Sequence, residues 1–420
     1  MPGKTVKVDY LARVEGETAI HVRIPGTGGA SVQLKIFEPP RFFEGFLVGR
    51  RYDEIGDIVS RICGICPVSH MTTAIRALEK AMGVEPTEQA RLLRRISSLS
   101  QIAASHLVHL HALAMPDYVG LDGVPEMLLS FPREVERFLR MRKVLNDLTA
   151  LIGGGRALHP VGTVVGGFTR VPSRPDLSEV CGHLAALSGD AEETARMVAS
   201  LPIPEFKRDR EFVALKSSES YAVNVGTIVS SKGLNGSEDA YGDVFEEEQV
   251  PYAMAKRARV RGRGSLMVGA LARVNLKYDQ LSPRAKAVAG EVGLVVPDDN
   301  PFHNIIAKAI EVVHAIEECA TALERLEPRQ EAPALRVAAG EGGAATEAPR
   351  GLLYHFYAVN RNGIVERANI VTPTAHNFLC IEEDMKAMVD EIADRPPREI
   401  KRRCEMLVRA YDPCFSCSVH

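Results

Sequence analysis

The sequence predicts a mainly α-helical α+β protein, a large helical bundle with a small β element at its N-terminal end, and three observations carry that prediction. Residues 19–24 and 32–36 alternate apolar and polar side chains with the period of a half-buried strand. From Thr87 onward, apolar or neutral residues recur at Leu92, Ile96, Leu99, Ala103, His106, Leu110 and Leu113, the spacing of a helix packed in a bundle. No internal repeat or domain boundary is visible. Residues 1–420 are therefore expected to form one domain, with 1–45 mostly β and 50–420 mostly helical.

The two strands are joined through the glycine-rich turn Gly26-Thr27-Gly28-Gly29. Helical character begins near residue 50. Thr87, after Pro86, is suited to cap the long helix, and Pro116 is expected to end it. Segments 133–152, 177–200, 284–290, 303–326 and 381–393 also read as helices. Between them, Gly153-Gly154-Gly155-Arg156 and Gly166-Gly167 bracket a non-helical turn containing His159-Pro160. Residues 327–349, rich in Ala, Gly, Glu and Pro, read as a loop.

Composition narrows the function. A 45% hydrophobic and 25% charged chain of 420 residues is an ordinary globular protein, large enough for a substantial core. A net charge of −3 argues against a nucleic-acid binder, and the one basic run, residues 256–263, reads as a solvated face or a subunit contact. No stretch has the length of a membrane span, and the first residues lack a signal-peptide core and a twin arginine. A cytoplasmic location with reduced thiols and no membrane insertion is the expectation. The eight cysteines then read as metal ligands and core residues, not as a disulfide framework.

Four of those cysteines form two Cys-x-x-Cys pairs at opposite ends of the chain, Cys63-Gly64-Ile65-Cys66 and Cys414-Phe415-Ser416-Cys417. Together they offer four soft thiolates, suited to zinc, an iron–sulfur cluster or another thiophilic metal. A structural zinc ribbon keeps its pairs about 15–20 residues apart, whereas here nearly the whole chain lies between them. One shared metal therefore requires the last residues to return to the interior. Spacing alone supports a structural and a catalytic metal equally. A thiol redox pair ranks third, because no thioredoxin-like βαβ unit surrounds either pair. Cys181, Cys319, Cys380 and Cys404 have no partner at metal spacing and read as buried apolar residues.

Residues 61–70, Arg-Ile-Cys-Gly-Ile-Cys-Pro-Val-Ser-His, and residues 412–420, Asp-Pro-Cys-Phe-Ser-Cys-Ser-Val-His, resemble the two signature motifs of the large subunit of [NiFe] hydrogenases. The resemblance extends over nearly the whole chain. It includes Arg13-Val14-Glu15-Gly16, Gly153 to Arg156 with His159-Pro160, Glu347-Ala348-Pro349-Arg350-Gly351, and Pro373-Thr374 with Asn377. What it implies is a Ni–Fe(CN)2(CO) centre that splits H2 heterolytically. Cys63 and Cys414 would be terminal Ni ligands, and Cys66 and Cys417 would bridge Ni to Fe. Arg350 or the Cys414 thiolate would accept the proton, and Glu15 would relay it. The bland reading of Glu15 is a surface ion pair with Arg13.

The resemblance also supplies surrounding roles. His70 would hydrogen-bond a bridging sulfur, Pro349 would shape the diatomic pocket, and Thr374 would donate to a cyanide, with a plain turn residue as its competing reading. Asp412 would pair with Arg350 or cap nearby N–H groups. Glu44, His420 and the carbonyl near Ile370 would hold Mg2+, with Fe2+ as the alternative because an imidazole ligand is unusual for Mg2+. In that family the precursor loses a C-terminal extension after the histidine at His420's position. A chain stopping there resembles the mature, nickel-loaded form, as would a deliberate truncation.

Two departures bear on proton routes. Glu17 stands where the family usually has histidine, and Ser105 stands where many respiratory members have aspartate, which points to a cytoplasmic subgroup. His106, His109 and His111, taken alone, read as satisfied core or interface histidines. Residues 268–275 resemble a segment of cytoplasmic multi-subunit hydrogenases, which couple H2 to NAD(P), to the deazaflavin F420 or to a heterodisulfide reductase. The NAD(P)-linked branch is favoured here. The chain has no ferredoxin-type cysteine run and no G-x-G-x-x-G in a strand–helix context. The implied partners are thus an Fe–S small subunit, a flavin- and NAD(P)-binding diaphorase and further Fe–S subunits. Outside this class stand a non-catalytic relative of the complex I quinone-site subunit, which lacks the four cysteines, and a purely structural zinc protein.

Overall fold

The structure is a computed structural model that describes residues 3–331 and 335–419. With 50% of residues helical against 18% in strands, it is the mainly α architecture expected from the periodicity. At the N-terminal end, Lys4–Val8, Thr18–Ile24 and Ser31–Ile36 form a three-stranded antiparallel sheet in sequence order. Its Val6, Val22 and Leu34 side chains join the main core.

Two helices centre the fold. Pro67–Met82 starts directly after Cys66 with Pro67 in its first turn, where a missing N–H costs nothing, and ends at Gly83 in the left-handed region. Glu88–Val108 is capped as expected, the Thr87 hydroxyl accepting from Ala90 N at 3.0 Å. Asn304–Arg325 packs along the second of these and buries most of its residues.

Pro116 does not end the long helix. Residues His109–Ala114 widen into a π-helical turn, and Met115–Val119 continues helically with Pro116 in its first turn. The π turn absorbs the missing N–H and the ring clash that proline imposes. Segment 177–200 is two helices, Arg174–Ala186 and Ser188–Ala199, broken at Leu187. The helix expected at 381–393 starts at Pro373, because the Thr372 side chain caps Ala375 N.

The largest correction concerns residues 327–349. Gly340–Ala348 is a strand, paired antiparallel with Gly351–Val359, which pairs in turn with Val365–Val371. The composition misleads because the strand lies against helix Pro67–Met82 and has no room for side chains. A Cβ on Gly340 would sit 2.1 Å from Ala81 O, and one on Gly342 would sit 2.4 Å from Ala77 O. Pro349 and Arg350 thereby occupy the tight turn of a buried hairpin. Further short strands lie between residues 211 and 267, outside the expected N-terminal β element. The basic run is largely the strand Lys256–Val260, laddered against the acidic strand Phe245–Gln249 through Arg257–Glu248 and Arg259–Glu246 pairs.

Candidate metal centre

The chain's end returns to its beginning. Phe415 N donates to Glu15 O at 2.8 Å, residues 15 and 414 form an isolated parallel bridge, and Arg41 N donates to Val419 O at 2.6 Å. Gly16, at φ 91°, has no room for a side chain, since a Cβ would lie 2.5 Å from Ser416 N. Glu38 ties the two segments together, accepting from Ser416 Oγ at 2.9 Å and from Glu17 N at 3.0 Å. Val419 is buried, so the last described residues are interior, as a shared site demands.

This closure brings all four motif cysteines to one buried place. The Sγ atoms of Cys63, Cys66 and Cys417 lie within 4.8 Å of one another, the one metal-competent group of its kind among the described residues. Cys63 Sγ is 3.8 Å from Cys414 Sγ and accepts from Ile65 N and Cys66 N, both at 3.3 Å. A hydrogen bond from the Cys66 thiol brings the Cys63 thiol down to about 7 despite burial, with Arg350 and those N–H groups adding to the effect. Giving that hydrogen bond and being buried push Cys66 well up.

The terminal pair departs from the expectation of reduced thiols: Cys414 and Cys417 are joined as a disulfide. The intervening two residues hold their Cα atoms 5.4 Å apart, within the ordinary bridging range. A metal takes both of these cysteines as thiolates. Four converging sulfurs then form a donor set suited to a soft transition metal and unsuited to Mg2+ or Ca2+.

Arg350 projects from the hairpin turn with 4% of its side chain exposed, and its charge acts on both Cys63 and Cys66. Its Nε donates to Asp412 O at 2.8 Å and its Nη2 to Asp412 Oδ1 at 3.2 Å, while Nη1 is buried without a partner. Asp412 therefore pairs with Arg350, one of the two roles expected of it. Burial raises its carboxyl, but Arg350 and then Lys308 more than offset that and hold it well below the usual range.

Glu15 is half-buried, and its Oε2 lies 3.4 Å from Cys414 Sγ. The alternative pairing with Arg13 does not occur, since Arg13 instead donates to Asp117 and to Leu113 O. Thr374 lies in the first turn of helix Pro373–Glu391, and its Oγ1 accepts from Cys414 N at 2.8 Å, leaving its own proton to donate elsewhere. Pro349 is buried beside Arg350, its carbonyl accepting from Arg273 Nη2 at 3.2 Å.

His70 Nδ1 meets His355 Nε2 at 3.1 Å, and His355 Nδ1 meets the Tyr357 hydroxyl at 2.8 Å. Glu44 is brought to Ile370, but through the Ile370 N–H, which donates to Glu44 Oε1 at 2.8 Å. Asn369 Nδ2 donates to the same oxygen at 3.2 Å. The expectation for His420 lies outside the described residues.

Sequence reading missed Lys308, His355 and Tyr357. Lys308 left a trace, a lone cation in the apolar stretch Ile305 to Ile310. The alternation of strand Gly351–Val359 places His355 and Tyr357 on one face, but nothing local says that this face meets His70. The three histidines of the long helix are core groups. His106 Nε2 donates to Glu311 at 2.8 Å, His109 Nε2 donates to Arg409 O at 2.7 Å, and His111 stacks on Phe138. Burial holds their imidazoles down to about 4, about 3 and about 4 respectively. The four unpaired cysteines are buried, as expected.

The profile of the family described as nickel-dependent hydrogenase matches residues 41–127 and 216–420. The chain is 34% identical to the alpha subunit of sulfhydrogenase 1 from Pyrococcus furiosus, over 99% of this chain and 97% of that one. It is 29% identical to a subunit of the F420-non-reducing hydrogenase of Methanothermobacter marburgensis, over 98% and 94%. Among solved structures, an NAD+-reducing [NiFe]-hydrogenase in the H2-reduced state superposes with a TM-score of 0.87 at 25% identity, over 99% of both chains. A Dm. baculatum [NiFeSe]-hydrogenase superposes at 0.77 and 23%, which speaks to the fold alone.

Proposed function

The chain belongs to the nickel-dependent hydrogenase family as a large subunit, and from that premise we propose that it is the catalytic subunit of a cytoplasmic, NAD(P)-coupled enzyme. H2 activation is the reaction of this family. The observation that carries the assignment to this site is the convergence of Cys63, Cys66, Cys414 and Cys417 beside the unpartnered Nη1 of Arg350.

A Ni–Fe(CN)2(CO) centre, when bound, supplies the metals at which H2 is polarised and split. Cys63 and Cys414 would hold Ni, and Cys66 and Cys417 would hold both Ni and Fe. The chain's own part is electrostatic and protic. Arg350 aims a fixed cation, with a free N–H, into a water-poor site where such a charge acts strongly. Glu15, half-buried and in reach of Cys414 Sγ, takes the proton outward. Thr374 and Pro349 would line the diatomic ligands, and His70 would hydrogen-bond a sulfur shared by the two metals. Glu44, the Ile370 carbonyl and His420 would be the ligands of a Mg2+ or Fe2+.

Electrons leave through a separate Fe–S subunit. The Cys63–Cys66 loop reaches the surface at Gly64 and Ile65, and the exposed Leu158 lies 4.0 Å from a Cβ built on Gly64, which gives a partner an apolar landing beside the ligands. The relatives named above are subunits by name, and the NAD+-reducing enzyme's likeness favours NAD(P), with a diaphorase and further Fe–S subunits as partners. The F420-non-reducing relatives favour a second reading, the same chemistry with another acceptor. Among the described residues, no helix is long and apolar enough to cross a membrane.

The test is metal analysis and infrared spectroscopy of the purified complex, followed by reduction assays with NAD+, NADP+ and F420. Stoichiometric nickel with bands of Fe-bound CO and cyanide is expected. Zinc in place of nickel, with no such bands, would return the site to a structural role.

A further inference from the structure

Asp412 stands at φ 54°, directly after helix Pro397–Tyr411 and two residues before Cys414. Its carboxylate is divided between two cations. Oδ1 accepts from Arg350 Nη2 at 3.2 Å, and Oδ2 accepts from Lys308 Nζ at 2.5 Å. Lys308 lies on helix Asn304–Arg325 with only 1% of its side chain exposed, flanked by Ile305, Ile306, Ala309 and Ile310. Burial drives its amine down to about 8, with Asp412 working the other way. A lysine in so dry a place destabilises the fold unless its contact matters.

The contact shapes Arg350. Guanidinium and carboxylate prefer a fork-to-fork pair with two parallel hydrogen bonds. Here Lys308 holds the far oxygen of Asp412, while Arg350 meets the near one through Nη2 and sends Nε to the Asp412 carbonyl. Nη1 is left buried and unpartnered, on the residue whose charge reaches Cys63 and Cys66.

We propose that Lys308 is a positioning residue: by holding Asp412 through its far oxygen, it fixes the carboxylate on which Arg350 rests and so keeps Arg350 Nη1 free to face the cysteine cluster. The inference deepens the hydrogenase reading and rests on it for its effect on turnover, but not for its geometry.

Three variants separate the possibilities. Lys308→Met removes the contact at similar length, Lys308→Gln retains a neutral donor, and Lys308→Arg retains donor and charge. In crystals of the metal-free Lys308→Met chain, the Asp412 carboxylate is expected to turn and Arg350 to move with it. An unchanged Arg350 overturns the proposal whatever the enzyme's activity. In the nickel-loaded complex, Lys308→Met should shift the infrared bands of the Fe-bound diatomics and slow H/D exchange at least tenfold at unchanged nickel content, with Lys308→Arg restoring most of both. Parental bands and rate in Lys308→Met overturn it. If Lys308→Met takes up no nickel, Lys308→Gln decides: parental bands uphold positioning, and altered bands at full nickel overturn it in favour of charge alone. Absence of nickel and of diatomic bands in the parental complex would defeat the hydrogenase reading while leaving the crystallographic result to stand by itself.

Discussion

Glu15 and Cys414 lie 399 positions apart in sequence, yet their side chains approach to 3.4 Å and their backbones form a parallel bridge. The proposed proton carrier and the proposed terminal ligand are thus held by one backbone contact. A change in either segment moves both.

Glu15→Gln keeps the shape and removes the titratable oxygen. Proton transfer by a positioned carboxyl contributes about 10²–10⁴-fold, so H/D exchange and H2 oxidation should fall by about that range. Nickel content should not change. Parental exchange rates in a fully loaded variant would remove Glu15 from the route.

Cys66→Ala deletes one of the three sulfurs that cluster within 4.8 Å. Nickel loading and the diatomic infrared bands should both be lost, as measured by elemental analysis and spectroscopy. Full nickel with turnover would refute the bridging assignment.

Gly342→Ala tests the close packing of the hairpin. The new Cβ would lie 2.4 Å from Ala77 O and 2.5 Å from Ala81 N, backbone atoms that cannot swing aside. Overpacking of this kind costs about 1–3 kcal/mol and should show as a lowered unfolding temperature. Gly182→Ala, with nothing within 4 Å of the added methyl, is the control and should be neutral or stabilising.

Arg273→Met strips a buried cation from Glu311, held at 2.6 Å, and from Glu347, held at 3.1 Å. Burial pushes the Glu311 carboxyl up, and Arg273 outweighs it to hold the group well below its usual value. Removing one partner of such a buried pair costs about 3–5 kcal/mol, readable as a lower urea midpoint. Adding Glu311→Gln to the same chain should recover part of the loss.

His111, His314 and His376 are buried and neutral, each pushed down by burial from 6.5 to about 4. The unfolded chain therefore takes up protons first as pH falls. Stability is intact above pH 6.5 and is lost on acidification toward 4, by about 1.4 kcal/mol per pH unit for each histidine. Urea midpoints of the metal-free chain between pH 4 and 7 should show this slope, and His111→Gln should lower it by one histidine's share. A slope unaffected by that change would place the acid sensitivity elsewhere.

The long capped helix after Thr87 was legible because its 3–4 spacing is local and its cap lies next to it. Strand Gly340–Ala348 was not legible. Its glycines and alanines describe the nearness of helix Pro67–Met82, which no local pattern records. Pro116 misled for a related reason: proline forbids an ordinary helical turn but not the wider π turn that precedes it here.

The sequence by itself determined the ligand chemistry, since two Cys-x-x-Cys pairs place soft donors within chelating reach along the backbone whatever the fold. Glu15, Arg350 and Thr374 were nameable through the motifs around them. Tertiary structure alone decided that Arg13 turns to Asp117 and leaves Glu15 to Cys414, that Glu44 meets the Ile370 N–H, and that Lys308 shares Asp412 with Arg350. These contacts join residues 62 to 399 positions apart. Side-chain spacing along one element cannot encode them; they arise only when the packed core brings distant elements together.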